Sequence, residues 1–278
     1  MMKKAVYFVL ICAVLTSCAS KFSRVLKSKD NEYKYKMAEN YYAQKKYNYA
    51  TQLFDELFPY VKGTPRFEDM HYKNAFAYFY MKDYLNAENL FKSYVDNFPG
   101  SARAEECEYM RAYSFFKQSP KVELDQTPTS KTMGLMQAFI NMHPNSAKVK
   151  DASALIDLCR AKLEEKEFKS AELYYNLGYY KAAGIVFNIL IDDYPDSDKA
   201  DLYKSLVIKS FYKYAELSII DKQQERYEKV LSEITDFNER FPQSKYFKEV
   251  NTYKAPSENS IKSIKEIKDE QAKTTTQR

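Results

Sequence analysis

Residues Ala75–Pro99 read AFAYFYMKDYLNAENLFKSYVDNFP, and this stretch decides the fold. It has the pattern of two helices joined at Lys82-Asp83 and stopped at Pro99, because proline has no N–H with which to continue a helix. Its positions Ala75, Tyr78, Tyr84, Ala87 and Phe91 recur 37 residues earlier as Ala38, Tyr41, Tyr47, Ala50 and Phe54. They return as Ala171, Tyr174, Tyr180, Ala183 and Phe187, ending at Tyr194-Pro195. The same spacing in three places is an internal repeat, and it sets the fold.

Each position has a physical role. Ala75 and Ala87 put one small side chain on each helix, so the two can approach closely, and Tyr78 and Phe91 fill the space above and below. Leucine at Ala87 is expected to overpack this contact, at a cost of roughly 1–3 kcal/mol in urea unfolding. The pattern resembles the tetratricopeptide repeat, matched by Ala75, Tyr78, Ala87, Phe91 and Pro99 and again by Ala171, Tyr174, Ala183, Phe187 and Pro195. In the first unit Phe58-Pro59 comes three residues early. The fold class implied is all-α, a tetratricopeptide-like helical-hairpin solenoid of about five degenerate repeats.

Punctuation divides the chain. Phe58-Pro59, Phe98-Pro99, His143-Pro144, Tyr194-Pro195 and Phe241-Pro242 are all ring–proline pairs, and four lead into Ser101, Ser146, Ser197 and Ser244. The proline stops one helix and the serine can cap the next. The third unit has Ala112 in the small slot and an expanded turn, Gln118–Lys131. A long helix from Lys148 to about Leu177 runs into the fourth unit, and the fifth has helices Leu202–Leu217 and Gln224–Arg240 around Asp221. The expected organisation is a leader at 1–17, a polar basic spacer at 18–30, N-terminal repeats at 31–145, C-terminal repeats at 146–250, and a mostly disordered polar tail at 251–278. Ile261, Ile264 and Ile267 are the one helical pattern in that tail.

Composition excludes several classes. Five glycines favour helix and make no phosphate loop. The 26 tyrosines and 18 phenylalanines suit a repeat core, with a minority left to line a binding surface. Net charge is +5 with no long run of one sign, so nucleic acid is not an expected partner. His71 and His143 lack ligand spacing, and no nucleophile elbow occurs. Glu105-Glu106 and Glu164-Glu165 read as solvated helix faces. No catalytic residues, metal or cofactor are expected. Cys107 and Cys159 fall in helical runs and read as mostly buried thiols, with a disulfide as the alternative.

Lys3-Lys4 followed by the apolar run Ala5–Leu15 is a targeting segment, too short to span a membrane. Leu15-Thr16-Ser17-Cys18 resembles a bacterial lipobox. That resemblance implies cleavage before Cys18, a diacylglycerol on its sulfur and an acyl group such as palmitate on its amine; the alternative is an ordinary secretory leader cut nearby. Ala19 in place of aspartate, and no acidic cluster after it, imply by the same resemblance the outer membrane with the body on its periplasmic face.

In such repeats the first helix of each pair lines the concave face. Offsets from the small slots place Tyr35, Glu39, Tyr42, Tyr72, Phe76, Phe79, Tyr109, Tyr113 and Phe116 on a candidate peptide groove, and Phe168, Glu172 and Tyr175 on its continuation. Lipobox, spacer, degenerate helix pairs and ring-Pro-x-Ser punctuation together resemble the BamD (YfiO or ComL-like) lipoprotein family, most closely at Tyr109-Met110-Arg111, KLEEKEFKSAELYY and DDYPDSDKA. The resemblance covers roughly Cys18 to Pro242. It implies an outer-membrane protein assembly factor that binds the POTRA domains of a barrel-forming subunit through its C-terminal repeats. Phe168, Glu172, Tyr175, Asp192 and Asp193 form the contact region this implies. Unfolded β-barrel substrates or other lipoproteins are the partners implied for the N-terminal repeats. Gln118–Lys131 and the tail depart from the family pattern, so no role is carried over to them. A periplasmic repeat scaffold for cell-envelope proteins and a carbohydrate-binding surface lipoprotein are the alternatives, the second disfavoured by the absence of tryptophan.

Overall fold

The computed structural model describes residues 21–276, so the leader and Cys18 lie outside the described residues. A helix over residues 21–26 (α1) precedes α2 (Asn31–Ala43), α3 (Tyr47–Val61), α4 (Pro65–Tyr80), α5 (Tyr84–Asn97), α6 (Ala104–Gln118) and α7 (Thr127–Met142). Then follow α8 (Val149–Asn176), α9 (Tyr180–Asp193), α10 (Ala200–Glu216), α11 (Ile220–Arg240), α12 (Phe247–Asn251) and α13 (Lys254–Thr276). Among the described residues there is no strand, and successive helices pack in pairs. This is the tetratricopeptide-like solenoid. The chain forms two compact units that divide between Arg160 and Ala161, inside α8 rather than before it.

The repeat positions make the core. Ala38, Ala50, Ala75, Ala87, Ala112, Ala171 and Ala183 are all fully buried, as are Phe54, Phe91 and Phe187. Small residues let the paired helices close, and the phenylalanines fill what remains. In the first unit one cluster joins Phe22 and Val25 of α1 to Phe54, Leu57 and Met70, and another joins Phe91 to Met136, Phe139 and Leu155. The second unit is built on Phe187, Val207, Ile208, Ile234 and Phe237.

The turns inside the repeats share one geometry. Lys45, Lys82 and Gly178 adopt φ of 58°, 63° and 82°. In the second repeat the Lys82 N–H donates to the Phe79 carbonyl at 2.9 Å and the Asp83 N–H to the Tyr78 carbonyl at 3.0 Å, a Schellman ending. Lysine pays a steric penalty in this left-handed region that glycine does not. Lys82→Gly is therefore expected to stabilise the fold by about 1 kcal/mol, read as a higher urea midpoint.

The turns between repeats share a second device. Phe98, His143, Tyr194 and Phe241 terminate α5, α7, α9 and α11, each just before a proline. The following serine donates its hydroxyl back to a carboxylate on the preceding first helix: Ser101 to Glu68 (2.6 Å), Ser146 to Glu105 (2.5 Å), Ser197 to Glu164 (2.5 Å) and Ser244 to Asp201 (2.7 Å). Its oxygen also accepts the N–H two residues on, as Arg103 gives to Ser101 at 3.1 Å. Each carboxylate lies two turns before the small slot, which identifies Ile208 as the slot of the fifth repeat. The first repeat lacks both halves, with Asn31 and Val61 in their places.

Hydrogen bonds from Ser101 and then Tyr94 hold the Glu68 carboxyl below its ordinary range. Its folded pKa is depressed, so its contribution is complete above about pH 4.3 and is lost as pH falls through the lower folded value. Ser101→Ala is expected to cost about 1.5 kcal/mol at pH 7, and the gap from wild type should narrow as pH falls below about 4.3 in urea titrations.

Several expectations are corrected. Pro59 does not stop α3, which runs to Val61; only the exposed last turn loses a donor, at the Asp55 carbonyl. Pro128 opens α7 instead of extending the loop, since first-turn N–H groups lack intrahelical partners anyway. Asp221 lies in the first turn of α11, not in a loose turn. Ser101 precedes Arg103, the residue that caps α6 without a side-chain bond, so the serines brace turns rather than cap helices. Glu105 and Glu164 are clasp acceptors, and Glu106 accepts the Tyr72 hydroxyl at 2.7 Å, so they are not merely solvated faces. The spacer carries buried Phe22 and Val25. The tail is helical: Ile264, 3% exposed, packs with Ala215 and Tyr227, and the Tyr253 ring lies 4.9 Å from that of Tyr212. Its sparse isoleucines find an apolar patch that composition does not reveal.

Candidate interaction surface

Within the first unit, α2, α4, α6 and the start of α8 are stitched together by one repeated contact. A cation from the next first helix stacks on a tyrosine of the previous one: Arg66 over Tyr35 (4.7 Å), Arg103 over Tyr72 (4.6 Å) and Lys148 over Tyr109 (4.7 Å). The same arginines pair with acids one turn away, Arg66 with Glu32 (2.5 Å) and Arg103 with Asp69 (2.9 Å). Lys73 bridges Asp69 (2.6 Å) and Glu39 (2.5 Å). Burial pushes the Asp69 carboxyl up, but hydrogen bonds from Lys73 and Arg103 outweigh it and leave the group below its usual range.

This contact separates the predicted groove residues. Phe76 (7% exposed) and Tyr109 (8%) are buried, Tyr35 and Tyr72 lie under guanidinium groups, and Glu39 is held by Lys73. Phe76 is buried because its ring meets the core Phe91 at 5.0 Å. Tyr42, Phe79, Tyr113 and Phe116 remain half-buried at the surface. They belong to a continuous aromatic track with Tyr47 and Tyr80, which offsets from the first-helix slot alone had not indicated. Ring centroids along it are 5.6 Å (Tyr42–Tyr47), 5.0 Å (Tyr47–Tyr80), 6.2 Å (Tyr80–Phe79), 5.8 Å (Phe79–Tyr113) and 5.9 Å (Tyr113–Phe116). Tyr80, 51% exposed, is the most accessible ring of this track. Tyr47, which opens the second helix of the first pair, is the one member of the track that the repeat pattern itself marks. Burial raises the Tyr42 and Tyr80 hydroxyl pKa values, so both stay neutral donors at physiological pH. Such a surface can stack on apolar side chains and donate hydrogen bonds to a peptide backbone.

In the second unit Phe168 is half-buried, 5.4 Å from the Tyr203 ring, and Tyr175 carries Lys209 at 5.4 Å. Glu172, Asp192 and Asp193 are exposed. A cleft of about 440 Å³ between α9, α10 and α11 has Ile185, Phe211 and Tyr214 on its walls with Lys181, Lys222 and Arg226 around them. Arg226 stacks 3.9 Å over Tyr214. Burial pushes the Cys107 thiol up to about 12, which leaves it protonated. Among the described residues no group of three or more His, Cys, Asp or Glu side chains could hold a metal, and no helix is long and apolar enough to cross a membrane.

A family model described as "Outer membrane lipoprotein" (YfiO) matches residues 27–230. No curated protein matches the sequence. Among solved structures, the TPR2AB domain of yeast Sti1 in its complex with pHSP90 is similar at TM-score 0.37 and 10% identity, over 82% of this chain and 98% of that one. A Podosopora anserina kinesin light chain with nearly identical TPR-like repeats is similar at TM-score 0.31 and 9% identity, over 78% of this chain and 100% of that one.

Proposed function

The chain belongs to the YfiO family of outer membrane lipoproteins, and on that premise we propose that it is a non-catalytic adaptor in the assembly of outer-membrane β-barrel proteins. Lipid on Cys18 tethers it to the periplasmic face of the outer membrane. The second unit binds the POTRA domains of a barrel-forming subunit through Phe168, Glu172, Tyr175, Asp192 and Asp193. The first unit offers its aromatic track to unfolded β-barrel substrates or to a second lipoprotein. The family match over most of the chain carries this reading, and the solvent-facing Tyr80 with half-buried Phe79 and Tyr113 supports the peptide-binding half.

Affinity purification from detergent-solubilised membranes tests it. A co-purifying outer-membrane barrel protein with tandem POTRA domains is expected; recovery of cell-wall enzymes or a glycan transporter instead would remove the assembly role and leave the fold intact. Within the first unit, Tyr80→Ala with Tyr113→Ala should weaken binding of a fluorescent barrel-strand peptide about tenfold while far-UV circular dichroism stays unchanged. Tyr72 and Phe76 are unsuitable for this test, because one braces Arg103 and the other is core.

A further inference from the structure

Compared position by position, the repeats show which side of each first helix is covered by the helix before it. Two residues after the small slot stand Ala77, Ser114 and Ser210, all fully buried. One residue further on stand Tyr41, Phe115 and Phe211, at 6%, 8% and 9% exposure, and the half-buried Tyr78. The helix that follows supplies part of the cover, as Tyr49 of α3 lies 5.4 Å from Tyr41 and Lys131 of α7 5.2 Å over Phe115, and preceding helices supply the rest. Tyr41 meets Phe22 of α1 at 5.8 Å, and the Tyr78 hydroxyl donates to Asp55 of α3 at 2.9 Å. Phe211 lies against Gly184 of α9, where an added Cβ would fall 2.6 Å from its ring.

In the fourth repeat these two positions are Leu173 and Tyr174, 58% and 40% exposed, and the next turn adds Leu177 at 59%. The first repeat, preceded only by the short α1, has exposed Asn40 where the fourth has Leu173. There an open face is polar, and here it is large and apolar. We propose that Leu173, Tyr174 and Leu177 form the docking face for an amphipathic helix of a partner protein, which takes the place that α3, α5 and α9 take over α4, α6 and α10. The repeats specify that helix. It carries an apolar stripe, a small residue against the Tyr174 ring as Gly184 lies against Phe211, and a carboxylate or other acceptor that meets the Tyr174 hydroxyl as Asp55 meets Tyr78. This face is separate from Phe168 and Tyr175, and the inference does not rest on the assembly role.

A photo-crosslinking phenylalanine derivative placed at Leu173, and as a control at Asn40, in the full lipidated chain within its own membranes tests the face. The expected result is an adduct at position 173 alone, mapped by mass spectrometry to a helical segment of another protein with that stripe and acceptor. The same segment as a synthetic peptide should bind the purified chain. Leu173→Asp should weaken binding at least tenfold and Tyr174→Phe about fivefold, with helicity and urea midpoint unchanged because both positions are exposed; Leu173→Ser serves if Leu173→Asp fails to fold. No adduct, an adduct to a second copy of this chain or to a non-helical segment, or a peptide indifferent to Leu173→Asp would overturn the proposal.

Discussion

Lys204→Ala is expected to destabilise the second unit by about 3–5 kcal/mol, the largest loss of any polar substitution considered. The Lys204 side chain is 6% exposed, and its ammonium pairs with Glu233, 5% exposed, and with Asp236 at the rim. Truncation leaves the Glu233 carboxylate buried with only the solvent-facing Lys229, 2.6 Å away, and a buried charge without a close, desolvated partner is expensive. The energy lies in the uncompensated charge rather than in the pair. Lys204→Met combined with Glu233→Met should therefore recover most of the loss, since apolar groups of similar volume can replace a buried pair at little cost. Urea unfolding at pH 7 of the single and double variants measures the difference. A single variant as stable as the double would show that Lys229 suffices for Glu233.

Phe91→Ala is expected to cost about 3–5 kcal/mol in the first unit. Phe91 is fully buried, and its ring stands edge-on to Phe76 at 5.0 Å. Around it Ala75 and Ala87 are already as small as the helix pair allows, so the cavity cannot close by moving smaller neighbours in. Phe91→Leu keeps most of the volume and should cost less than half as much. Urea midpoints for the two variants, compared at equal slope, give the ratio. Phe54 and Phe187 hold the same position and should respond alike.

Residues whose role is set by spacing were legible in the sequence. The alanines and phenylalanines of the repeat are buried where their register put them, because close helix pairing needs small groups at fixed intervals whatever the context. Four of the five ring–proline pairs end helices for an equally local reason, and Pro59 escapes because its helix has only two residues left to make. The serine clasp was half legible. The recurrent serine was visible, but its carboxylate partners sit 33 to 43 residues away and look like ordinary charged helix residues.

The groove was the least legible part. Offsets within a helix identify a face, not what stands in front of it. Tyr35, Tyr72 and Tyr109 share a face by their offsets, and each receives a cation from the next repeat, a contact between segments that single-helix periodicity does not contain. Tyr80 lies outside those offsets because it ends its helix, where the chain turns and leaves the ring open. The tail was misread for a related reason. Two or three isoleucines in a charged segment suffice for a helix once Ala215 and Tyr227 offer them a surface, and composition alone does not report that surface.

Depletion of this lipoprotein in the cell that makes it tests most directly whether it serves the assembly of β-barrels. Folded β-barrel proteins in the outer membrane, scored by heat-modifiable electrophoretic mobility, should fall several-fold, while other lipoproteins hold their levels. Re-expression of the wild-type chain should restore the barrels, and Cys18→Ala, which removes the proposed anchor, should restore them poorly. Unchanged levels of folded barrels after full depletion would contradict that role.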